Sequence, residues 1–304
     1  MSAHGVPEGM AAGGRAAAWA GPGALAAFFD VDGTTTEHEP AASPAVAAGF
    51  ARAAAAGVRL GFATGRPPQG VAHLREQLGW PGGGAGGAGG ADVVDVVHNG
   101  AAVVGRDGAV ASWPLPRPAA EALARWCAAE GVYAELYCGR RLFVTDRREA
   151  ARVSWDEVSG PPDGDSTDLL AGAGRALEVE KVTVNCFEVE RTAEAVAVFE
   201  GLGLHVERSS APFFPGVPVL NATAPGVTKG AALRWWSRRT GVPLARVLAL
   251  GDGLNDLSML DAAGTGVAMG QAPERVRAGA HLVTRSVEHD GAALVLEHLA
   301  SGAL

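Results

Sequence analysis

Cysteine is scarce in this chain and unpaired in pattern. Cys127, Cys138 and Cys186 are odd in number, isolated from one another and free of any C-x-x-C spacing, which excludes a disulfide framework and a thiolate zinc site and fits a reducing, cytoplasmic setting. Long apolar runs are missing too. No stretch of 18 apolar residues occurs, so no membrane-spanning helix is expected, and Ala16 to Ala20 is too short for the core of a signal peptide. Basic residues are outnumbered: the formal net charge of -8 speaks against a nucleic-acid partner, whose phosphates call for clustered Lys and Arg. The Gly-rich stretch from Pro81 to Gly90 lacks the strand-before, helix-after context of a phosphate-cradling loop and reads as a linker.

What is present is a globular composition, 48% hydrophobic and 19% charged over 304 residues, enough for one large domain or two modest ones. Residues 1–23 are rich in Ala and Gly and read as a flexible tail. From Leu25 onward, strand and helix patterns alternate. Ser43-Pro44 has the form of an N-cap followed by a first-turn proline, and Gly57 closes that helix. Val58 to Ala63 reads as a strand, Val71, Leu74 and Leu78 as a helical stripe, Val93 to Val97 as another strand, and Asp107-Gly108 as a hairpin turn.

Near Pro116 the character changes. A helix over Pro118–Glu130, strands over 132–137, 142–144, 181–187 and 204–207, and a helix near Thr192–Glu200 suggest an α+β insert over residues 116–216 with an antiparallel sheet. The βα rhythm is expected to resume near Val217, with a helix from Lys229 toward Thr240 and buried strands at Val247–Leu250 and Val267–Met269. The whole is α/β, with a mainly parallel sheet covered on both faces over residues 24–115 and 217–304. Ligands of such sheets bind beyond the carboxyl ends of the strands.

Three of these strand ends carry candidate chemistry. Asp30 and Asp32 follow the Leu25–Phe29 run, separated by one residue, and Gly33 permits a sharp bend after them. Two carboxylates facing one small volume repel unless a cation or proton intervenes, which suggests a hard, oxygen-ligated metal such as Mg2+ beside a nucleophilic or acid/base carboxylate. A solvated turn or a calcium loop would have the same local pattern. Gly251-Asp252-Gly253-Leu254-Asn255-Asp256 follows another strand and can complete the metal shell, although Asn255 also suits a helix cap. Thr64-Gly65 offers a hydroxyl and a backbone N–H to phosphate oxygens, or forms a routine turn. Lys229 opens a helix, where the helix dipole disfavours a cation, so balancing a phosphate and a carboxylate cluster is its natural purpose; a solvated surface lysine is the alternative. Thr34 and Thr35 are placed to orient the nucleophile, and Thr36 reads as structural. The histidines show no ligand spacing, and Trp235-Trp236 reads as packing.

Taken in order, Asp30-Val31-Asp32-Gly33-Thr34, Thr64, Lys229 and the Gly251–Asp256 segment resemble the haloacid dehalogenase (HAD) superfamily of phosphohydrolases. Ala63-Thr64-Gly65-Arg66, Asn99-Gly100-Ala101, Gly226-Val227-Thr228-Lys229-Gly230 and Gly266–Gly270 resemble its Cof-type group, subfamily IIB. The resemblance covers roughly residues 24 to 300. It implies a Rossmann-like core with an inserted cap domain that determines substrate. It also implies that Asp30 attacks phosphorus to give an aspartyl-phosphate, and that Asp32 serves as acid and then base. Mg2+ would be held by the Asp30 carboxylate, the Asp32 carbonyl and Asp252, with Asp256 nearby, while Thr64, Gly65, Lys229 and Asn255 would hold the phosphoryl oxygens. Thr35, where the group has an aliphatic residue, and His281, where an acid is frequent, depart from the pattern without removing a catalytic group.

The expected function is a Mg2+-dependent phosphatase for a small phosphorylated metabolite such as a sugar phosphate. A phosphomannomutase-like phosphotransferase using the same intermediate and a non-catalytic phosphate-binding module are the alternatives. Asp32 argues against the dehalogenase and phosphonatase branches, which lack an acid there. Arg140, Arg141, Trp155 and Asp156 are cap candidates for reaching substrate or for the surface, and Arg66 for a second phosphate or a cap carboxylate. The sequence sets no oligomeric state.

Overall fold

A computed structural model describes residues 6–15, 23–37, 41–79, 94–170, 177–210 and 214–304. The Pro81–Gly90 stretch and Val93 lie outside these residues. The first of the larger sheets has the strand order Ala11–Ala12, Leu282–Val283, Thr265–Ala268, Val247–Gly251, Ala26–Phe29, Arg59–Phe62. All neighbours are parallel except the first pair. Period-two alternation divides each central strand between two cores: Ala27, Phe29, Leu248 and Leu250 pack on one face, Ala26, Phe28, Val247 and Ala249 on the other. Helices Pro44–Ala55 and Gly291–Ala300 close the first face, where Phe29 and Phe50 lie 5.0 Å apart. Helices Lys229–Thr240 and Leu257–Ala262 close the second, with Trp236 edge-on to Phe28 at 5.0 Å. Trp235 likewise packs, against Trp113.

A three-stranded antiparallel unit, Asp95–Val97, Ala102–Gly105 and Gly108–Ser112, joins the edge of this sheet through the Ala63–Val96 bridge. Its last two strands form the expected hairpin.

The other large sheet runs His205–Ser210, Pro218–Thr223, Lys181–Asn185, Ala134–Cys138, Arg141–Val144, Gly164–Asp165. It is antiparallel apart from its last pair. Helices Arg117–Ala129 and Thr192–Gly201 cover one face, burying Leu123, Phe199, Val182, Val184 and Leu220. The alternate residues Lys181 and Thr183 point the other way, toward the parallel sheet.

Two boundaries differ from the sequence reading. Pro218–Thr223 was expected to resume the core, but it pairs on both sides within the antiparallel sheet, so that sheet extends to Thr223. The reason is local: only residues 211–217 separate this strand from His205–Ser210, and so short a connection favours an antiparallel neighbour. Within the N-terminal segment expected to be a flexible tail, Ala11–Ala12 adds an edge strand to Leu282–Val283. The polar segment around residues 161–168 contains the short Gly164–Asp165 strand and the start of the Ser166–Leu170 helix. Among the described residues, no helix is long and apolar enough to cross a membrane.

Candidate active site

Strands Ala26–Phe29 and Val247–Gly251 are parallel neighbours with Phe29 opposite Leu250, so the residues that follow them, Asp30 and Asp252, emerge side by side. The Asp30 N–H donates to the Leu250 carbonyl at 2.8 Å, and the Thr35 hydroxyl donates to the Asp30 carbonyl at 2.6 Å. The threonine that departs from the family pattern thus ties down the loop it stands in. Gly33 turns that loop at φ 76°, where a Cβ would come within 2.5 Å of Asp252 Oδ2. Thr34 donates its hydroxyl to Asp252 Oδ1 at 3.0 Å.

Lys229 begins its helix behind the N-cap Thr228, whose hydroxyl accepts from the Ala231 N–H. It is fully buried. Its Nζ donates to Asp30 Oδ1 at 2.7 Å and to Asp256 Oδ1 at 2.6 Å, which compensates an ammonium placed at the wrong end of a helix dipole. Asp256 Oδ2 accepts the N–H groups of Asp252 and Gly253 at 2.9 and 2.8 Å. Both Asp256 oxygens are therefore engaged, and the residue acts as a clamp on the turn and on Lys229.

One carboxylate oxygen each from Asp30, Asp252 and Asp256 lies within 4.8 Å of the others. Burial, and after it the charge of Asp256, raises Asp30 well above the ordinary carboxylate range, while Lys229 works against this rise. The same two causes push Asp252 up to about 7. Three acids answered by one ammonium leave negative charge in excess, and the donors are all oxygen. That chemistry fits a small hard cation such as Mg2+.

Asp32 faces the cleft, its carboxylate gripped by Arg66 through Nε to Oδ2 at 3.0 Å and Nη2 to Oδ1 at 2.5 Å. Arg66 thus pairs with a core carboxylate, where the sequence suggested a cap carboxylate or a second phosphate. Thr64 is buried, and its hydroxyl accepts the Arg66 N–H at 3.1 Å. Gly65 and Asn255 line the cleft, while Lys229 and Asp256 lie beneath it.

The cleft has a volume of about 440 Å³ and lies between the two large sheets. Its roof is the polar face of the antiparallel sheet, including Glu135, Tyr137, Lys181, Thr183, Asn185 and Asn221. Glu135 accepts from the hydroxyls of Tyr133 and Tyr137 at 2.9 and 2.7 Å. Lys181 lies over the Tyr137 ring and reaches across to donate to the Gly65 carbonyl at 2.7 Å. Burial lowers its pKa to about 8.

These roof residues escaped the sequence reading, although the alternation Lys181-Val182-Thr183-Val184-Asn185 is their signature. The residues suggested instead do not line the cleft. Arg141 is exposed and 3.5 Å from Asp163, Trp155 is buried with its Nε1 donating to the Tyr133 hydroxyl, Asp156 is exposed, and Arg140 borders a separate cavity.

A parallel sheet with acids at its strand ends and a buried lysine reaching them from a helix start, roofed by an inserted α+β layer, is the arrangement of a HAD-type hydrolase. The profile of the haloacid dehalogenase-like hydrolases matches residues 27–296, and the chain belongs to that family. Phosphatase YwpJ of Bacillus subtilis is 44% identical over 72 residues, 24% of this chain and a quarter (25%) of that protein's length. YkrA of Bacillus subtilis, also named a phosphatase, is 26% identical over 272 residues, 90% of this chain and 96% of that protein. Among solved structures, a HAD subclass IIB sugar phosphatase is 25% identical with a TM-score of 0.72, covering 90% of this chain and 98% of that one. A haloacid dehalogenase-like hydrolase from B. subtilis shares the fold with a TM-score of 0.76 at 22% identity, over 90% of this chain and 99% of that one.

Proposed function

We propose that this chain is a Mg2+-dependent phosphatase that hydrolyses a small phosphorylated metabolite, of the sugar-phosphate type, through an aspartyl-phosphate on Asp30. The observation that carries the reading is the buried ammonium of Lys229 bridging Asp30 and Asp256 beside Asp252, beneath a cleft that Asp30, Asp32 and Asp252 line.

Asp30, Asp252 and the carbonyl of Asp32 would hold Mg2+, with Asp256 behind them; the cation would neutralise charge on the phosphoryl group. Lys229 fixes Asp30 through Oδ1, leaving Oδ2 for attack on phosphorus. As the P–O bond to the leaving group breaks, Asp32 at the cleft wall delivers a proton to the departing oxygen. It then removes a proton from the water that hydrolyses the aspartyl-phosphate. Thr64, the Gly65 N–H, Lys229 and Asn255 hold the phosphoryl oxygens, so positioning and charge compensation carry most of the catalysis. The polar side chains among the roof residues, Glu135, Lys181, Thr183, Asn185 and Asn221, favour a leaving group that carries hydroxyls, and Thr183 and Asn221 are held in place by the bonds from Thr183 to Asn221 Oδ1 and from Asn221 Nδ2 to Ser209.

The test is a panel of phosphorylated sugars, nucleotides and cofactors assayed with Mg2+ for release of inorganic phosphate, without a sugar bisphosphate activator. Turnover is expected on sugar phosphates, and Asp30→Asn should lower it by at least ~10³ while leaving the fold intact. Near-normal phosphate release by Asp30→Asn would overturn the mechanism.

A further inference from the structure

Asn99 follows the Asp95–Val97 strand with φ 55° and ψ 33°, a left-handed conformation that asparagine tolerates better than most residues. Its turn is pinned from two sides. The His98 and Asn99 N–H groups donate to the carbonyls of Arg66 and Thr64 at 3.1 and 3.0 Å. Gly100 lies so close to the start of the Lys229 helix that a Cβ would meet the Thr228 carbonyl oxygen at 2.3 Å. The side chain makes a third connection. Its Oδ1 accepts from Asn255 Nδ2 at 3.3 Å, and a Cβ on Gly65 would come within 2.9 Å of that same oxygen. Three of the four groups assigned to phosphate oxygens, Thr64, Gly65 and Asn255, are therefore neighbours of one residue.

Asn99 is 1% exposed and lines the cleft, and its Nδ2 is buried without a hydrogen-bond partner. Leaving such a donor unsatisfied is costly, so buried amides are ordinarily paired. An amide N–H is also what an anion requires, whereas a further carboxylate here would repel it.

We propose that Asn99 belongs to the phosphate site: Oδ1 orients the Asn255 amide, and Nδ2 is the donor kept for an oxygen of the bound phosphoryl group. This rests on the phosphatase reading. A role confined to the left-handed turn would be served as well by glycine, which enters that region without steric cost. Asn99→Gly therefore separates the two roles, and Asn99→Asp, which keeps the size but exchanges the donor for a charged acceptor, provides a second variant.

Binding of inorganic phosphate and of orthovanadate to the full chain with Mg2+ would be measured by titration calorimetry, with thermal melts as the control for folding. Asn99→Gly should melt near the wild-type temperature and bind both anions roughly tenfold more weakly, the worth of one hydrogen bond to a charged group. Asn99→Asp should bind more weakly still. Wild-type affinity in Asn99→Gly, or in Asn99→Asp should the glycine variant not fold, would overturn the proposal. A wild-type chain that binds neither anion would remove it together with the phosphatase reading, whereas a binding wild type with unaffected variants removes this inference alone.

Discussion

Replacing Lys229 with methionine keeps an unbranched side chain only one atom shorter and deletes its charge and its two hydrogen bonds, at 2.7 Å to Asp30 and 2.6 Å to Asp256. All three residues are buried, so the variant strands two carboxylates that have little access to water. Breaking a buried ion pair from one side costs about 3–5 kcal/mol, which in a domain of this size lowers the melting temperature on the order of 10 °C. The deficit should depend on pH. Asp30 is already held well above the ordinary carboxylate range and loses the one neighbour that lowers it, while Asp252 stands at about 7. A carboxyl group with a raised folded-state pKa binds more protons when folded than when unfolded, so its contribution to stability is present at low pH and lost as pH rises. The Lys229→Met deficit, measured by thermal unfolding in EDTA, should therefore be large at pH 8 and smaller at pH 6. Mg2+ should recover part of it at pH 8. A variant as stable as wild type at pH 8 in EDTA would refute the assignment of Lys229 as the counter-charge of the cluster.

Two other perturbations act on the cation site. Protons and Mg2+ compete for Asp252, so Mg2+ affinity measured by calorimetry should weaken by about tenfold between pH 8 and pH 6; a pH-independent affinity would contradict a raised Asp252 carboxyl acting as a ligand. Gly33→Ala places a methyl group 2.5 Å from Asp252 Oδ2 at a backbone φ of 76°. It should destabilise the protein by roughly 1–2 kcal/mol and raise the Mg2+ concentration needed for half-maximal activity, and wild-type values for both would count against the geometry.

Much of the site was legible because chemistry and fold punctuation coincide in the same residues. Asp30, Thr64 and Asp252 each stand just beyond an apolar strand, and parallel pairing brings such ends together. The Lys229–Thr240 helix matches its expected start, since Thr228 is an effective N-cap, and a lysine in that first turn signalled a buried partner. The cap was less legible. Pro218–Thr223 followed by a helix reads like a βα unit, and only its pairing with Lys181–Asn185 and His205–Ser210 reveals that it belongs to the antiparallel sheet. The Lys181-Val182-Thr183-Val184-Asn185 alternation announces one polar face, but nothing in it says that this face closes over the acids of another sheet. Arg66 shows the same limit: its charge implied an anionic partner, and the identity of that partner, Asp32, depends on two loops meeting in space. Asn99 carried a readable sign, Asn-Gly after a strand, of a left-handed turn; its contact with Asn255 is tertiary.

The central claim is that Asp30 takes the phosphoryl group. Quenching the enzyme in acid during turnover of a substrate from the panel, reducing the trapped acyl-phosphate with borohydride and sequencing the peptides by mass spectrometry tests it directly. The account predicts homoserine at position 30 in wild-type material, and no reducible intermediate in Asp30→Asn treated in the same way. Reduction at a different carboxylate, or brisk phosphate release with no reducible intermediate at Asp30, would contradict it.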